Sequence, residues 1–203
     1  MLTKAVEHLN SFGIIPIIKD DGSTYDIKLP NYFRHAHRGK KEYWKTWKEM
    51  FNECGKDEPQ DLYIFMPDDF QDLDVDRVRS IHRIFTKEGA YVYNIINDGR
   101  TKEWTGIKEQ KYSKTETKVG FTDCGFFCNY ETLKKLRFDM LSILDSWWLK
   151  GDNVSSGVGR QLSARITQLQ IPIYKPVKSL AFHGEHESKM HKEERIKNPL
   201  ISK

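Results

Sequence analysis

The 203-residue chain reads as an α/β protein, a mainly parallel central sheet flanked by helices and built as a single domain. Three observations lead there. Short apolar runs of strand length alternate along the chain with stretches whose apolar residues recur at helical spacing. Two of those runs end in paired carboxylates, "KDDGS" (19–23) and "MPDDF" (66–70), and sheets of this kind gather ligands at the carboxyl ends of their strands. The length suffices for one sizeable core and falls short of two comfortable ones.

The elements follow in order. Leu2, Ala5, Val6 and Leu9 share one helical face, and Gly13 closes that helix. "IIPII" reads as a buried strand running into "KDDGST", with Pro16 placing it near a sheet edge or a bulge. A poorly patterned segment reaches Pro30, and a basic segment follows it. Trp44, Trp47 and Phe51 then mark a helix over about 40–53. Leu62, Ile64, Phe65 and Met66 form the next strand, stopped by Pro67; Val75, Val78, Ile81 and Phe85 form the helix after it. "AYVYNIIND" reads as a strand, "KVGFTDCGFFCNY" as another, and "ETLKKLRF" as a helix. Val158, Leu162, Ile166 and Leu169 set out a last helix, "IPIYKPV" a last strand, and "HKEERIKNPLISK" a charged tail.

Charged residues make up 31% of the chain, and no apolar run approaches the length that spans a bilayer. No signal-peptide pattern opens the sequence, so a soluble, cytoplasmic protein is expected, in the host cytoplasm if the chain is viral. Cys54, Cys124 and Cys128 are odd in number and lack zinc-ligand spacing, which predicts reduced thiols, with Cys124 and Cys128 packing inside a strand. The net charge is +4 but unevenly spread. In "RHAHRGKKEYWKTWKEMF" (34–51) Lys and Arg interleave with Tyr43, Trp44, Trp47 and Phe51, a mixture suited to phosphate or a nucleic-acid backbone. The plainer reading is a solvated amphipathic helix with its aromatics in the core, which leaves "RHAHRGK" still to be explained.

Asp68 and Asp69 end a strongly apolar strand, where burying them costs heavily unless a cation or strong donors hold them. The bland alternative leaves both in solvent or capping the next helix. Taken together, "IIKDDGST", "RHAHRGKKEYW", "FMPDDF" and "LAFHGEHESKM" resemble, in that order, the motifs of the GT-A nucleotide-sugar-dependent glycosyltransferases. The resemblance covers roughly residues 2–190. It implies a GT-A-like sheet in which residues 1–70 bind the nucleotide, 71–190 serve donor sugar and acceptor, and 191–203 form the charged tail.

The same resemblance implies roles for single residues. Asp20 and Asp21 would read the nucleobase. Arg34, Arg38, Lys40 and Lys189 would hold phosphate oxygens, and Asp69 with His183 would ligate a divalent metal. Asp68 would touch ribose, sugar or a metal-bound water. Mixed oxygen and imidazole donors suit Mn²⁺, with Mg²⁺ less fond of nitrogen. His186 and His191 are possible substitutes for His183, while His35 and His37 fit phosphate binding or packing better than metal. The chain departs from the pattern twice. Pro67 stands where the first acid of the DxD-type motif belongs, and the sequence opens directly with "MLTKAVEHLN" where the pattern has a strand before the first helix, so that either the strand is absent or the sequence begins inside the domain.

Inverting members of the fold place a carboxylate general base just before a helix. Here "SSGVGRQLSARITQLQI" carries Gly and Val instead, with Asp145 and Asp152 as the nearest alternatives, so retention of anomeric configuration is favoured. Asp123 in "FTDCGFFCNY" would face the donor sugar or the acceptor, or else end its strand in a turn hydrogen bond. Trp147 and Trp148 offer a stacking platform, or else one is core and the other a lid. The leading expectation is a UDP-sugar donor and a glycan acceptor, or a hydroxymethylated DNA base as in small bacteriophage enzymes. Two other classes compete: a noncatalytic nucleic-acid-binding α/β module, and a metal-dependent nuclease or phosphotransferase.

Overall fold

A computed structural model of the chain describes residues 2–20, 28–34, 43–67, 70–97, 109–122, 124–141 and 158–183. The helices fall where the apolar periodicity put them. α1 (Leu2–Ser11) is followed by Gly13 at φ 73°, a left-handed turn that glycine enters without a Cβ penalty. α2 (Tyr43–Cys54) turns Trp47 and Phe51 inward, both fully or nearly fully buried, so these two aromatics of the basic stretch are core residues. α3 (Val75–Phe85) buries Val75, Val78, Ile81 and Phe85. α4 (Tyr130–Lys135) starts at Asn129, whose side chain accepts from the Thr132 amide, and α5 (Val158–Gln168) buries Val158, Leu162 and Ile166.

The strands are arranged differently from the expectation. β1 (Ile18–Asp20) and β2 (Tyr32–Arg34) form a separate parallel pair. β3 (Leu62–Phe65), β5 (Val92–Asn94), β6 (Gln110–Lys111), β7 (Glu116–Val119), β8 (Phe126–Asn129) and β9 (Ile173–Pro176) make one six-stranded sheet in the order β3-β8-β5-β9-β7-β6. Within it only β5 and β9 pair in parallel, so the central sheet is mixed and mostly antiparallel, not mainly parallel. β8 enters between β3 and β5 and runs against both, and β7 runs against β9 and β6. β3 and β5 do run the same way with α3 between them, as the alternation suggests, but they are not neighbours.

Two further expectations change. "KVGFTDCGFFCNY" is not one strand: its first part lies in β7 beside β9, and its second part is β8, separated from β7 in the sheet by β5 and β9. "IIPII" is not a buried strand either, since Ile15 and Ile17 are 70% and 55% exposed and pairing starts only at Ile18.

The sheet divides two apolar layers, because successive side chains of a strand point to opposite faces. Phe126, Cys128, Val92 and Ile173 pack with α2, α4 and α5, where Phe65 stacks on both Phe51 and Phe126 at 4.9 Å between centroids. Phe127, Tyr91, Tyr93 and Tyr174 pack with α3 on the other side. All four residues of β8 are buried, which is why it reads as a continuous apolar run rather than an alternating one. Burying each of these aromatic or aliphatic side chains contributes about 1.5–3 kcal/mol, and the sheet is held from both faces. Among the described residues no helix is long and apolar enough to cross a membrane.

Candidate functional site

Phe65 and Asn94, the last residues of β3 and β5, both pair with Phe126, the first residue of β8. One end of the sheet therefore gathers the chain leaving β3, the chain leaving β5 and the chain entering β8. These are the stretches that hold "PDD", "IIND" and "TDCG".

After Pro67, the chain resumes as β4 (Phe70–Gln71), where the Phe70 amide donates to the Pro67 carbonyl at 3.3 Å. β4 pairs antiparallel with β10 (Phe182–His183): Phe182 opposes Gln71, and His183 opposes Phe70. The residue that follows Asp69 in the chain is thus the ladder partner of His183. Both strands are anchored beyond the pair. The Asp74 amide donates to Leu180 O at 2.7 Å, the Leu180 amide donates to Ile95 O at 2.8 Å, and Asn97 Nδ2 donates to Val177 O at 2.7 Å. On the far side of β4, His8 Nε2 donates to Leu73 O at 2.7 Å and ties α1 to the same segment.

Phe70 also meets the chain entering β8. A Cβ on Gly125 would lie 2.2 Å from Phe70 Cε2 and 2.5 Å from Cζ, so the ring occupies the space that any larger residue at 125 would need. Phe70 is buried, and the Ile95 amide donates to Gly125 O at 3.0 Å, which holds that backbone in place under the ring. Phe70 and Gly125 were not among the expected site residues. The signal for Gly125 was present, because an isolated glycine inside an apolar strand pattern marks a close approach of another group.

Asp74 caps α3, its Oδ1 accepting from the Arg77 amide at 3.0 Å. The bland reading of the paired acids as the cap of the next helix is thereby replaced: a strand lies between them and α3, and another aspartate does the capping.

The expected nucleotide-binding residues divide. Asp20 and Arg34 are register partners at the carboxyl ends of parallel β1 and β2, and Tyr32 Oη donates to Asp20 Oδ2. Lys19 reaches α2 through Glu53, Nζ to Oε1 2.8 Å, and lies over the Phe33 ring at 4.5 Å, which moors the small pair against the helix. Asp21, Arg38, Lys40, Asp68, Asp69, Asp123, Asp145, Asp152 and Lys189 lie outside the described residues, as do His35, His37, His186, His191, Trp147 and Trp148. Arg34 and His183 are located by their backbone alone.

Cys128 is buried inside β8, as expected, whereas Cys124 precedes that strand and, like Cys54, is half-buried beside the same core. Burial pushes the Cys54 thiol up to about 11, with Asp57 adding to the rise. His82 Nδ1 and the Tyr91 hydroxyl share a hydrogen bond at 2.8 Å, and burial lowers the pKa of the imidazole. Among the described residues no group of three His, Cys, Asp or Glu side chains is arranged to hold a metal. No family model, curated protein or solved structure matches this chain.

Proposed function

We propose that this chain is a metal-dependent glycosyltransferase of the GT-A kind. It moves a sugar from a nucleotide diphosphate sugar, a UDP-sugar by preference, to a hydroxyl of a glycan or of a hydroxymethylated DNA base. The observation that carries the reading is the β4–β10 register. An imidazole-bearing residue from late in the chain is the ladder partner of the residue following the second aspartate of "PDD". The reading needs that neighbourhood, and separate locations for the two segments would have ended it.

The donor set fits an oxygen-preferring divalent ion, since Asp69 offers carboxylate oxygen and His183 imidazole nitrogen, a mixture that suits Mn²⁺ over Mg²⁺. Bound between them, such an ion would offset the charge that develops on a departing nucleotide diphosphate. The remaining work falls to the protein's own groups. Asp20, with Asp21, is assigned to the base, its orientation set by Tyr32. Arg34, Arg38, Lys40 and Lys189 are assigned to phosphate oxygens, where fixed cations stabilise the leaving group without reorganising. Asp68 is assigned to ribose or sugar, and Asp123, Asp145 and Asp152 remain the acids that could orient or deprotonate the acceptor. A retaining course is part of the proposal; an inverted product anomer by proton NMR would remove that part alone.

Calorimetry of UDP with and without Mn²⁺ tests the core of the proposal. Metal-enhanced binding of the free diphosphate, lost in Asp69→Ala, is the expected result. Metal-independent binding, or none, favours a nucleic-acid-binding module or a nuclease. A UDP-release screen across common UDP-sugars with Mn²⁺ follows, and inert behaviour with every donor, even toward slow hydrolysis, overturns the assignment. Turnover on hydroxymethylated DNA that falls steeply with salt supports the DNA acceptor, and salt-insensitive turnover argues against it.

A further inference from the structure

The sheet ends at the β6–β7 hairpin, and a groove of about 440 Å³ runs between the turn of that hairpin and the end of α3, lined by Ile84, Phe85 and residues 112–116. Tyr112 is 45% exposed there, although its ring is firmly held. It meets Phe85 at 5.5 Å and Tyr174 at 4.8 Å between centroids, and its hydroxyl donates to Glu88 Oε1 at 2.6 Å. The turn is equally fixed. The Tyr112 and Ser113 amides donate to Glu116 O at 3.0 and 3.1 Å, Ser113 Oγ accepts the Thr115 and Glu116 amides, and the Val177 amide donates to Thr115 O at 2.9 Å. An aromatic ring is thus kept at the surface in a preset position, which lowers the ordering cost of binding against it.

The surroundings of that ring are basic. Residues 76–88, 110–118 and 177–179 hold eight Lys or Arg against three carboxylates. All three carboxylates have partners: Glu88 accepts from Tyr112, Glu116 from the Ser113 and Thr115 hydroxyls, and Asp76 lies 4.0 Å from Arg79. Lys114, in the turn, and Lys118 are exposed and make no ion pair among the described residues. Lys118 is the ladder partner of both Gln110 and Tyr174, so it shares the sheet face of Tyr112.

Lysines on an edge strand also guard it against pairing with other chains, which accounts for Lys111. That role leaves Lys118, one strand further in, and the exposed ring beside Lys114 without a reason. In residues 34–51, where the sequence mixes the same residue types, Trp47 and Phe51 are in the core. Here the ring stays outside among the cations, and a neutral glycan would have no use for them.

We infer that this groove binds single-stranded nucleic acid, with a base stacked against Tyr112 while Lys114 and Lys118 hold the phosphates on either side of it. Stacking on an aromatic side chain beside cations that follow the backbone is the general chemistry of such binding, and it needs no particular base. The surface is separate from the sugar-transfer reading, and would serve it only with a DNA acceptor.

The test is fluorescence anisotropy of the full chain with a labelled oligothymidylate of about 20 nucleotides, with its duplex on oligoadenylate and with heparin, from about 50 to about 200 mM salt. The wild type is expected to bind the single strand more tightly than the duplex, with affinity falling as salt rises. Tyr112→Leu keeps an apolar side chain against Phe85 and Tyr174; it should weaken strand binding about tenfold and leave heparin binding unchanged, and Tyr112→Phe should restore the strand affinity. Lys114→Gln, at an exposed turn position, should lower the salt slope for the strand by about 0.7. The inference is overturned by a wild type that does not bind the strand, by duplex bound as tightly, by an equal loss of heparin binding in Tyr112→Leu, or by strand binding that survives both Tyr112→Leu and Lys114→Gln. Tighter binding of polyglutamate than of the strand also overturns it, in favour of an acidic protein partner. If Tyr112→Leu is poorly folded, Lys114→Gln and Lys118→Gln decide the question, and an unchanged salt slope in both removes the site. Mn²⁺-dependent UDP binding, measured on the same proteins, is expected to be unaltered by these substitutions. Its absence from the wild type counts against the glycosyltransferase alone, and the two failures are therefore told apart.

Discussion

His183 stands opposite Phe70 in an antiparallel ladder, and the ring of Phe70 fills the space above the Cα of Gly125. One buried aromatic therefore joins three segments that are far apart in sequence: the chain after "PDD", the chain ending at β10 and the chain entering β8. Its burial is hydrophobic, and its consequence is positional. Each segment contributes an ionisable residue within two positions of the join: Asp69, His183 and Asp123.

Gly125→Ala tests that join. The added Cβ would sit 2.2 Å from a ring atom of a buried phenylalanine that has no open side to swing toward. Overpacking of this kind costs about 1–3 kcal/mol. The expected result is a lower denaturation midpoint with an unchanged m-value, partly recovered in Gly125→Ala/Phe70→Leu. An additive double variant would show that the two residues do not meet.

Arg165 is nearly fully buried and spends its guanidinium on the chain after α4. Nε and Nη2 donate to Leu136 O at 3.0 and 2.5 Å, and Nη1 donates to Leu141 O at 2.7 Å. Burial lowers its pKa, opposed by nearby Asp139. Arg165→Met fills similar volume, leaves Leu136 O with the Asp139 amide alone at 3.2 Å and strips Leu141 O of its donor, at about 1–3 kcal/mol for a buried carbonyl left unpaired. Arg165→Lys recovers little, because a single ammonium cannot span both acceptors. Urea melts of the three proteins check the order; equal stability of the Lys variant and wild type would contradict it.

Tyr93 is the opposite case. Its ring stacks on Phe127 at 4.9 Å, yet its hydroxyl is buried with no hydrogen-bond partner among the described residues. Burial raises its pKa, with Glu116 adding to the rise, so the group stays neutral across the working range. Tyr93→Phe removes the orphaned oxygen and keeps the stacking. Stability is expected to stay level or rise by up to about 1 kcal/mol, and a clear fall in Tm would reveal a partner for that hydroxyl.

The thiols predict the alkaline limb. Cys54, raised from 9.0 to about 11 in the folded chain, holds its proton more tightly there than when unfolded. Between those values the unfolded state is the one that loses protons first, so this contribution is complete below pH 9 and disappears as pH climbs toward 11. Tyr112, raised to about 12 chiefly by its hydrogen bond to Glu88, acts in the same direction from pH 10 upward. Denaturation midpoints at pH 8 to 11 should fall, less steeply in Cys54→Ala. At pH 8 a thiol reagent should label Cys54 and Cys128 only slowly in the native protein, because burial suppresses both thiolates. Rapid labelling of either would mean that this side of the core opens.

What could be read from the residues in order was local. The 3.6-residue spacing of Val75, Val78, Ile81 and Phe85 is a property of neighbours along the chain, and α3 follows it. Trp47 and Phe51 went to the core for the same reason, despite the lysines around them. Strand neighbours are another matter. That β8 enters between β3 and β5, and that one apolar run supplies two strands with β5 and β9 between them, depends on pairings whose partners lie far along the chain. Two features made "KVGFTDCGFFCNY" look continuous: its apolar content, and the absence of a helix to signal a crossover.

The sequence by itself determined the helices, the approximate positions of β3, β5, β8 and β9, and the list of acids and bases worth testing, since side-chain chemistry and short-range periodicity are written residue by residue. Only the tertiary structure decided that the sheet is mixed, that Asp74 rather than the paired acids caps α3, and that His183 reaches the residue beside Asp69. Those outcomes are set by long-range backbone hydrogen bonding and by how bulky rings such as Phe70 share space with a glycine, and no window of neighbouring residues contains either.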